Sequence, residues 1–301
     1  MSWEPLPDRD WAPTIRSLHR WSQIVGKVRM DLAAPMNHWW HVTLSVSPRG
    51  LTTSPIPHAG GLVELEFDLH ADLLRLRTSD DRDMAIPLEP MSVADFYRQA
   101  RDLLRDAAID VRIWPVPVEV DDAIPFARDT APGGYDPAHA RALHGALVDA
   151  HRVLTRFRGR YQGKASPVHF FWGGFDLATT RFSGRPAPRH PGGVPNCPTW
   201  VMEEAYSHEV SSAGWWPGSG DVGPSFYSYM YPEPAGYRTA SLAPVPGVYH
   251  QVLGDFLLPY DEVRRSTDPD ATLLAFLEAT YSTGAGLASW DRADEIAPVR
   301  G

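Results

Sequence analysis

Residues 62–69 read Leu-Val-Glu-Leu-Glu-Phe-Asp-Leu. Val63, Leu65, Phe67 and Leu69 alternate with Glu64, Glu66 and Asp68. That period of two puts one face of a β-strand in a core and the other toward water. The neighbouring segments extend the pattern on both sides. Upstream, His38–Val46 is rich in aromatic and β-branched residues and predicts a strand. Pro48-Arg49-Gly50 follows as a turn, and Leu51–Ile56 is a second short strand closed by Pro55 and Pro57. Downstream, Leu73–Thr78 and Met84–Leu88 predict two more strands around an Asp-rich turn. Helices flank this set. Ile15, Leu18, Trp21 and Val25 recur at helical spacing within Trp11–Lys27. Val93, Phe96, Ala100, Leu103 and Leu104 do so within Ser92–Ala108, where Ser92 is placed to cap the N-terminus.

Val111–Pro125 is extended and interrupted by prolines, which remove ladder donors, so it predicts an edge strand running into a connector. The Gly133-Gly134…Pro137 cluster marks a boundary, and Pro137–Arg160 is a long helix. The order then returns. At an ungapped offset of 131 residues, His38–Pro57 faces His169–Pro188, matching His38 with His169, Pro55 with Pro186 and Pro57 with Pro188. Ile86-Pro87 before the second helix corresponds to Leu258-Pro259 before a helix at Asp270–Thr283. The expectation is an α+β fold of antiparallel sheets with flanking helices, built by internal duplication of a helix–four-strand–helix unit. Residues 1–130 form the first half and 131–301 the second, in one integral globular unit. The second half carries a Pro/Gly-rich insertion at 189–203.

Composition excludes several functions. The 301 residues are 43% hydrophobic and 22% charged, the balance of a globular chain with a large core. A net charge of −9 does not favour phosphate backbones or anionic lipid, so neither a nucleic-acid nor a membrane partner is expected. The arginines at 152, 156, 158 and 160 read as a solvated helix end. The one cysteine, Cys197, rules out an internal disulfide or a cysteine zinc cluster. Met1–Trp11 lacks the pattern of a signal peptide, and no apolar run approaches membrane-spanning length, so the expected location is cytoplasmic.

The segments Asn37–His41 (NHWWH), Val168–Pro188, Pro191–Pro198 (PGGVPNCP) and Glu204–Gly218 (EAYSHEVSSAGWWPG) resemble an uncharacterised bacterial family, the domain-of-unknown-function family 5996. The resemblance runs from about Trp11 to Trp290, nearly the whole chain. It implies a single integral architecture and supplies no catalytic residues.

Three constellations carry candidate chemistry. His38 and His169 each open a strand of the same type, and His208 lies in the predicted strand Ala205–Ala213. Three imidazoles with an open position suit Zn²⁺ or non-haem iron; without a metal, His38 or His208 is a candidate general base. No HExxH or HxH spacing supports the metal, and histidines capping strands are the plainer alternative. Cys197 sits in a loop stiffened by Pro191 and Pro195 and is a candidate nucleophile, with burial as a small apolar residue the alternative. Trp40, Trp172, Tyr206 and Trp215 are the substrate-binding candidates of an aromatic set that also includes Trp39, Trp216, Phe226, Tyr227 and Tyr229. Arg185 is the anchor for an anionic group. Gly218-Ser-Gly220-Asp-Val-Gly223 fits GxGxxG, but Pro224 and an aromatic strand follow where a helix is required. Asp80, Asp81 and Asp83 read as a solvated turn. The function expected is an intracellular enzyme acting on a small organic molecule at a histidine- and aromatic-lined pocket. A non-catalytic small-molecule binding protein and a structural or interaction protein are the alternatives.

Overall fold

A computed structural model describes residues 3–7 and 9–291. The fold is α+β, with six α-helices and two antiparallel sheets. Helix α1 (Ala12–Leu32) precedes β1 (Ser45–Ser47), β2 (Gly50–Thr52), β3 (Ile56–His58), β4 (Gly61–Asp68), β5 (Leu73–Thr78) and β6 (Asp83–Pro87); α2 (Val93–Asp106) closes this half. The first sheet runs β1-β2-β4-β5-β6, with β3 also on β4. The apolar side of the β4 alternation holds, with Val63, Leu65, Phe67 and Leu69 each 1% exposed, but Glu66 and Asp68 on the opposite side are buried too, where Arg77 and Arg49 pair with them. Ser92 caps α2 by accepting from the Asp95 amide.

The second half opens with α3 (Pro137–Gly159), followed by β7 (His169–Phe171), β8 (Asp176–Pro186), α4 (Thr199–Ala205), β9 (His208–Trp216), β10 (Ser225–Tyr231), β11 (Val248–His250) and β12 (Asp255–Pro259). Helices α5 (Tyr260–Arg264) and α6 (Pro269–Leu287) complete it. The second sheet runs β11-β12-β10-β9-β8-β7. Leu44 and Phe170 join the halves by exchanging backbone hydrogen bonds of 2.9 and 2.7 Å. One apolar cluster continues from Trp21 and Phe67 through Phe170 to Phe276. No helix among the described residues is long and apolar enough to cross a membrane.

Four expectations change. His38–Val46 is not one strand: Asn37–Trp39 is a 3-10 turn, and only Ser45–Ser47 pairs as β1. His38 and Trp39 stand at φ 57 and 61°, left-handed positions that no strand contains. Leu51–Ile56 splits between β2 and β3, with Ser54 at φ 56° between them. Val111–Pro125 makes no ladder; Gln23 fixes it to α1 instead, donating to Val118 O and accepting from Val118 N, both at 2.8 Å. The insertion at 189–203 ends in helix α4. Internal duplication is not confirmed. Each half has helix, antiparallel strands, helix, but the strand connections differ, α4 interrupts the second set, and His38 occupies a left-handed turn where His169 begins a strand.

Candidate functional site

Parity assigns the two faces of the second sheet, because directly paired residues of an antiparallel ladder share a face. One row is Phe226, Trp215 and Leu177, and a second is Met230, Ser211 and Arg181. These point at the helices: Arg181 lies over the Phe157 ring of α3 and donates to Phe157 O. The other face carries Tyr227, Gly214, Ala178 and His169 in one row, Tyr229, Ser212 and Thr180 in the next, and Tyr231, Val210 and Phe182 in the third. Asp176 and Asp255 belong to it by alternation along β8 and β12. Its centre is lined by small residues. Gly214 has no room for a Cβ, since Leu177 O and the Tyr227 hydroxyl occupy that space.

Carboxyl groups and tyrosines gather at one end of this face. Tyr227 donates a short hydrogen bond to Asp176 Oδ2. The Tyr206 and Tyr229 hydroxyls share one of 2.7 Å, and His190 stacks on Tyr206 at 4.8 Å. Glu119 arrives from the irregular segment before α3. Its amide donates to Pro195 O at 2.8 Å, so the insertion loop holds it from the far side. A Cβ at Gly174 would stand 2.9 Å from Asp176 Oδ1 and 3.4 Å from Glu119 Oε2, which brings the two carboxyls to one glycine turn. A Cβ at Gly173 would overlap the Glu119 carboxyl outright. Glu119 has φ 59°, as does Phe175, the residue before Asp176. Glu119 is thus itself in left-handed backbone, and Asp176 opens β8 directly after a left-handed residue; outside glycine that conformation is costly and concentrates at functional sites.

Burial raises the Glu119 carboxyl to about 7, and the neighbouring Asp176 adds to the rise. Burial also raises Asp176 to about 6, with the Tyr227 hydrogen bond opposing it. Asp255 is pushed up to about 7 by burial, then by Asp176 and Glu233. Among the described residues, none of these three carboxyls has a Lys or Arg partner, whereas Asp68 pairs with Arg49 and Asp270 with Arg152.

An acid whose folded value lies above its unfolded one holds its proton longer when folded. Its ionisation therefore weakens the fold as pH rises from about 4 through about 7. Asp255→Asn is expected to gain on the order of 2 kcal/mol at pH 8. It should gain nothing at pH 4, as read by denaturant unfolding at both values. A gain that is equal at the two pH values would count against a desolvated, unpaired Asp255.

The residues singled out in the sequence fall into three groups. His38 and His208 are brought together, ring centroids 5.8 Å apart. However, both His38 nitrogens are engaged: Nε2 accepts from the Lys164 ammonium at 2.7 Å, and Nδ1 donates to Glu204 O and Ala205 O at 3.2 Å. His169 lies on the same face, bonded through Nδ1 to Thr43 Oγ1 at 3.1 Å, with Nε2 buried and unpartnered. Burial lowers it to about 3, so it is neutral. Among the described residues no three His, Cys, Asp or Glu side chains gather as ligands of one ion. Trp40 lies against His38 and Phe182 in this neighbourhood.

Tyr206 is at the carboxyl end. Cys197 is within electrostatic reach of Glu119 and Lys27, and burial and then Glu119 push its thiol up to about 11. It is protonated at neutral pH, the opposite of an activated nucleophile.

The third group is structural. Trp215 is 0% exposed and packs on the helix face. Trp172 is buried against Gly26 and donates to Val42 O at 2.7 Å. Arg185 pairs with Glu209 at 2.6 Å and donates to Ala288 O and Ser289 O at the end of α6, so its fork is occupied. Arg185→Ala should therefore cost about 1–2 kcal/mol of stability through these charged hydrogen bonds, measured by urea unfolding; an unchanged midpoint would contradict that role.

Glu119, Asp176 and Asp255 were not visible as site residues in the sequence. Glu119 lies in the Pro-punctuated segment Val111–Pro125, which the sequence presents as an edge strand and connector rather than as part of a site. The three tyrosines of β10 carried a usable signal, since Tyr227, Tyr229 and Tyr231 alternate with Phe226, Ser228 and Met230.

Fold and site together define an α+β protein of two antiparallel sheets, with an uncompensated carboxyl–tyrosine cluster on the outer face of the second. The chain belongs to the Family of unknown function (DUF5996), whose model matches residues 3–296. No match to the chain was found among curated proteins or among solved structures.

Proposed function

We propose that the protein is an enzyme that performs general acid–base chemistry on a small organic molecule, in a tyrosine-lined recess on the outer face of the second sheet. The observation that carries this reading is the Glu119–Asp176 pair at the Gly173-Gly174 turn, with no Lys or Arg paired to it among the described residues. Glu119 keeps exposed surface while its carboxyl is strongly desolvated. A group with both properties lines a recess rather than an outer surface. Two neighbouring carboxyls whose environments push their proton affinities apart divide the work between them. Asp176, ionised more readily because Tyr227 donates to it, is the base. Glu119, which holds its proton to about 7, is the acid. Tyr206 and Tyr229 supply hydroxyls for orienting the ligand. The catalytic assignment moves here from His38, bonded at both nitrogens, from His208, bonded to Ser207 through Nδ1, and from Cys197, whose thiol stays protonated.

The test is a thermal-shift screen of neutral and cationic small molecules, followed by turnover assays of the binders. A molecule turned over by the wild type, and bound but not turned over by Glu119→Gln, supports the assignment. Binders that remain unchanged, and that Glu119→Gln and Asp176→Asn hold as tightly as the wild type does, would leave a non-catalytic binding protein.

A further inference from the structure

Only two of the 28 basic residues are lysine, Lys27 and Lys164; the rest are arginine. Lys164 has an ordinary assignment, since it reaches the surface and donates to His38. Lys27 does not. It lies on the buried side of α1 at 1% exposure. Among the described residues no carboxylate pairs with its ammonium and no oxygen accepts from it. The ammonium instead sits between two indoles, 5.2 Å from the Trp114 centroid and 5.6 Å from that of Trp172.

The cage has a fixed wall and an outer cover. Gly26, one residue before the lysine, has no Cβ, and the Trp172 ring fills that space; the Trp172 N–H is tied to Val42 O. Trp114 is 50% exposed and belongs to the irregular segment that Gln23 pins to α1. Solvent therefore lies on the other side of that one side chain.

An ammonium held between aromatic rings is stabilised by cation–π attraction, but arginine provides that as well, and this chain uses arginine elsewhere. Lysine differs in one property that matters here: desolvated, it sheds its proton and offers a lone pair. We infer that Lys27 is a nucleophilic amine that forms an imine with an aldehyde or ketone entering past Trp114. In this step the Nζ lone pair makes the new carbon–nitrogen bond and the carbonyl π electrons move to oxygen. The carbinolamine then loses one water, which carries away both hydrogens of the neutral amine. No oxidant or reductant is consumed.

Burial lowers Lys27 to about 8, which agrees with this role. The titratable group acting on it is Cys197 of the insertion loop, which opposes the shift but is outweighed by burial; Trp114 and Trp172 do not titrate. This amine is a site separate from the carboxyl pair, and the failure of either leaves the other standing.

The experiment treats the intact chain with propionaldehyde and cyanoborohydride between pH 6 and 8.5, which converts each imine to a stable secondary amine. Peptide mapping then reads the label. Lys27 should lead Lys164 by about tenfold, rise with pH toward about 8, and lose its lead when the chain is unfolded in urea, because only the fold desolvates it. Lys27→Arg, which keeps the charge, should remove the fast-labelled position and leave Lys164 unchanged. Label appearing first on Lys164, or on Lys27 only after unfolding, would show a caged structural cation and overturn the inference.

Discussion

Glu119→Gln is expected to lower turnover by about 10²–10⁴-fold, the usual contribution of a positioned proton donor, while ligand affinity changes little. The pH profile gives the stronger test. In the wild type kcat/KM should rise as Asp176 loses its proton near 6 and fall as Glu119 loses its own near 7, a narrow bell between the two. The pair is coupled, so the limbs report the pair and not each side chain alone. Glu119→Gln should remove the alkaline limb and Asp176→Asn the acid limb. Tyr227→Phe should move the acid limb upward, because the hydrogen bond that favours the Asp176 carboxylate is gone. A bell that survives Glu119→Gln would place the proton donor elsewhere.

Trp215→Ala should destabilise the fold by about 3–5 kcal/mol without a separate effect on ligand affinity. Trp215 is wholly buried on the helix face of β9, in the row of Phe226 and Leu177, with the Tyr260 ring 6.5 Å away. Truncation leaves a cavity between Tyr260 of α5 and the sheet that these packed elements do not collapse to fill. Chemical denaturation measures the loss. A change in affinity at unaltered stability would return Trp215 to the ligand-binding role suggested by its sequence neighbourhood.

The contrast between Trp215 and Tyr227 shows what the sequence made legible. Alternation divides β9 and β10 into two faces, and the division is correct, because a strand's parity is a local property. Which face meets the helices is not local, and Trp215 fell on the inner one. β4 and the Ser92 cap were readable for the same reason: an eight-residue alternation and a side chain reaching its own helix need nothing distant. The turn at His38 was not readable. Its aromatic composition suits a strand, but its left-handed backbone is set by packing against α4 and by the Lys164 hydrogen bond. His38, His169 and His208 do lie at one face of the second sheet, yet each is bonded to a partner of its own: His38 to Lys164 and the end of α4, His169 to Thr43 and His208 to Ser207. Sequence spacing says nothing of that. Glu119 and Asp176 are 57 positions apart and meet only because an irregular segment is pinned to α1 at Val118.

The hydrogen bond from the Glu119 amide to Pro195 O also makes that amide a reporter. Its proton exchanges with deuterium only when the insertion loop lifts away, so its protection factor measures how often the recess opens. A ligand held beneath the loop would slow that exchange. The slowing would appear at one backbone position, whatever chemistry follows, and before any product is identified.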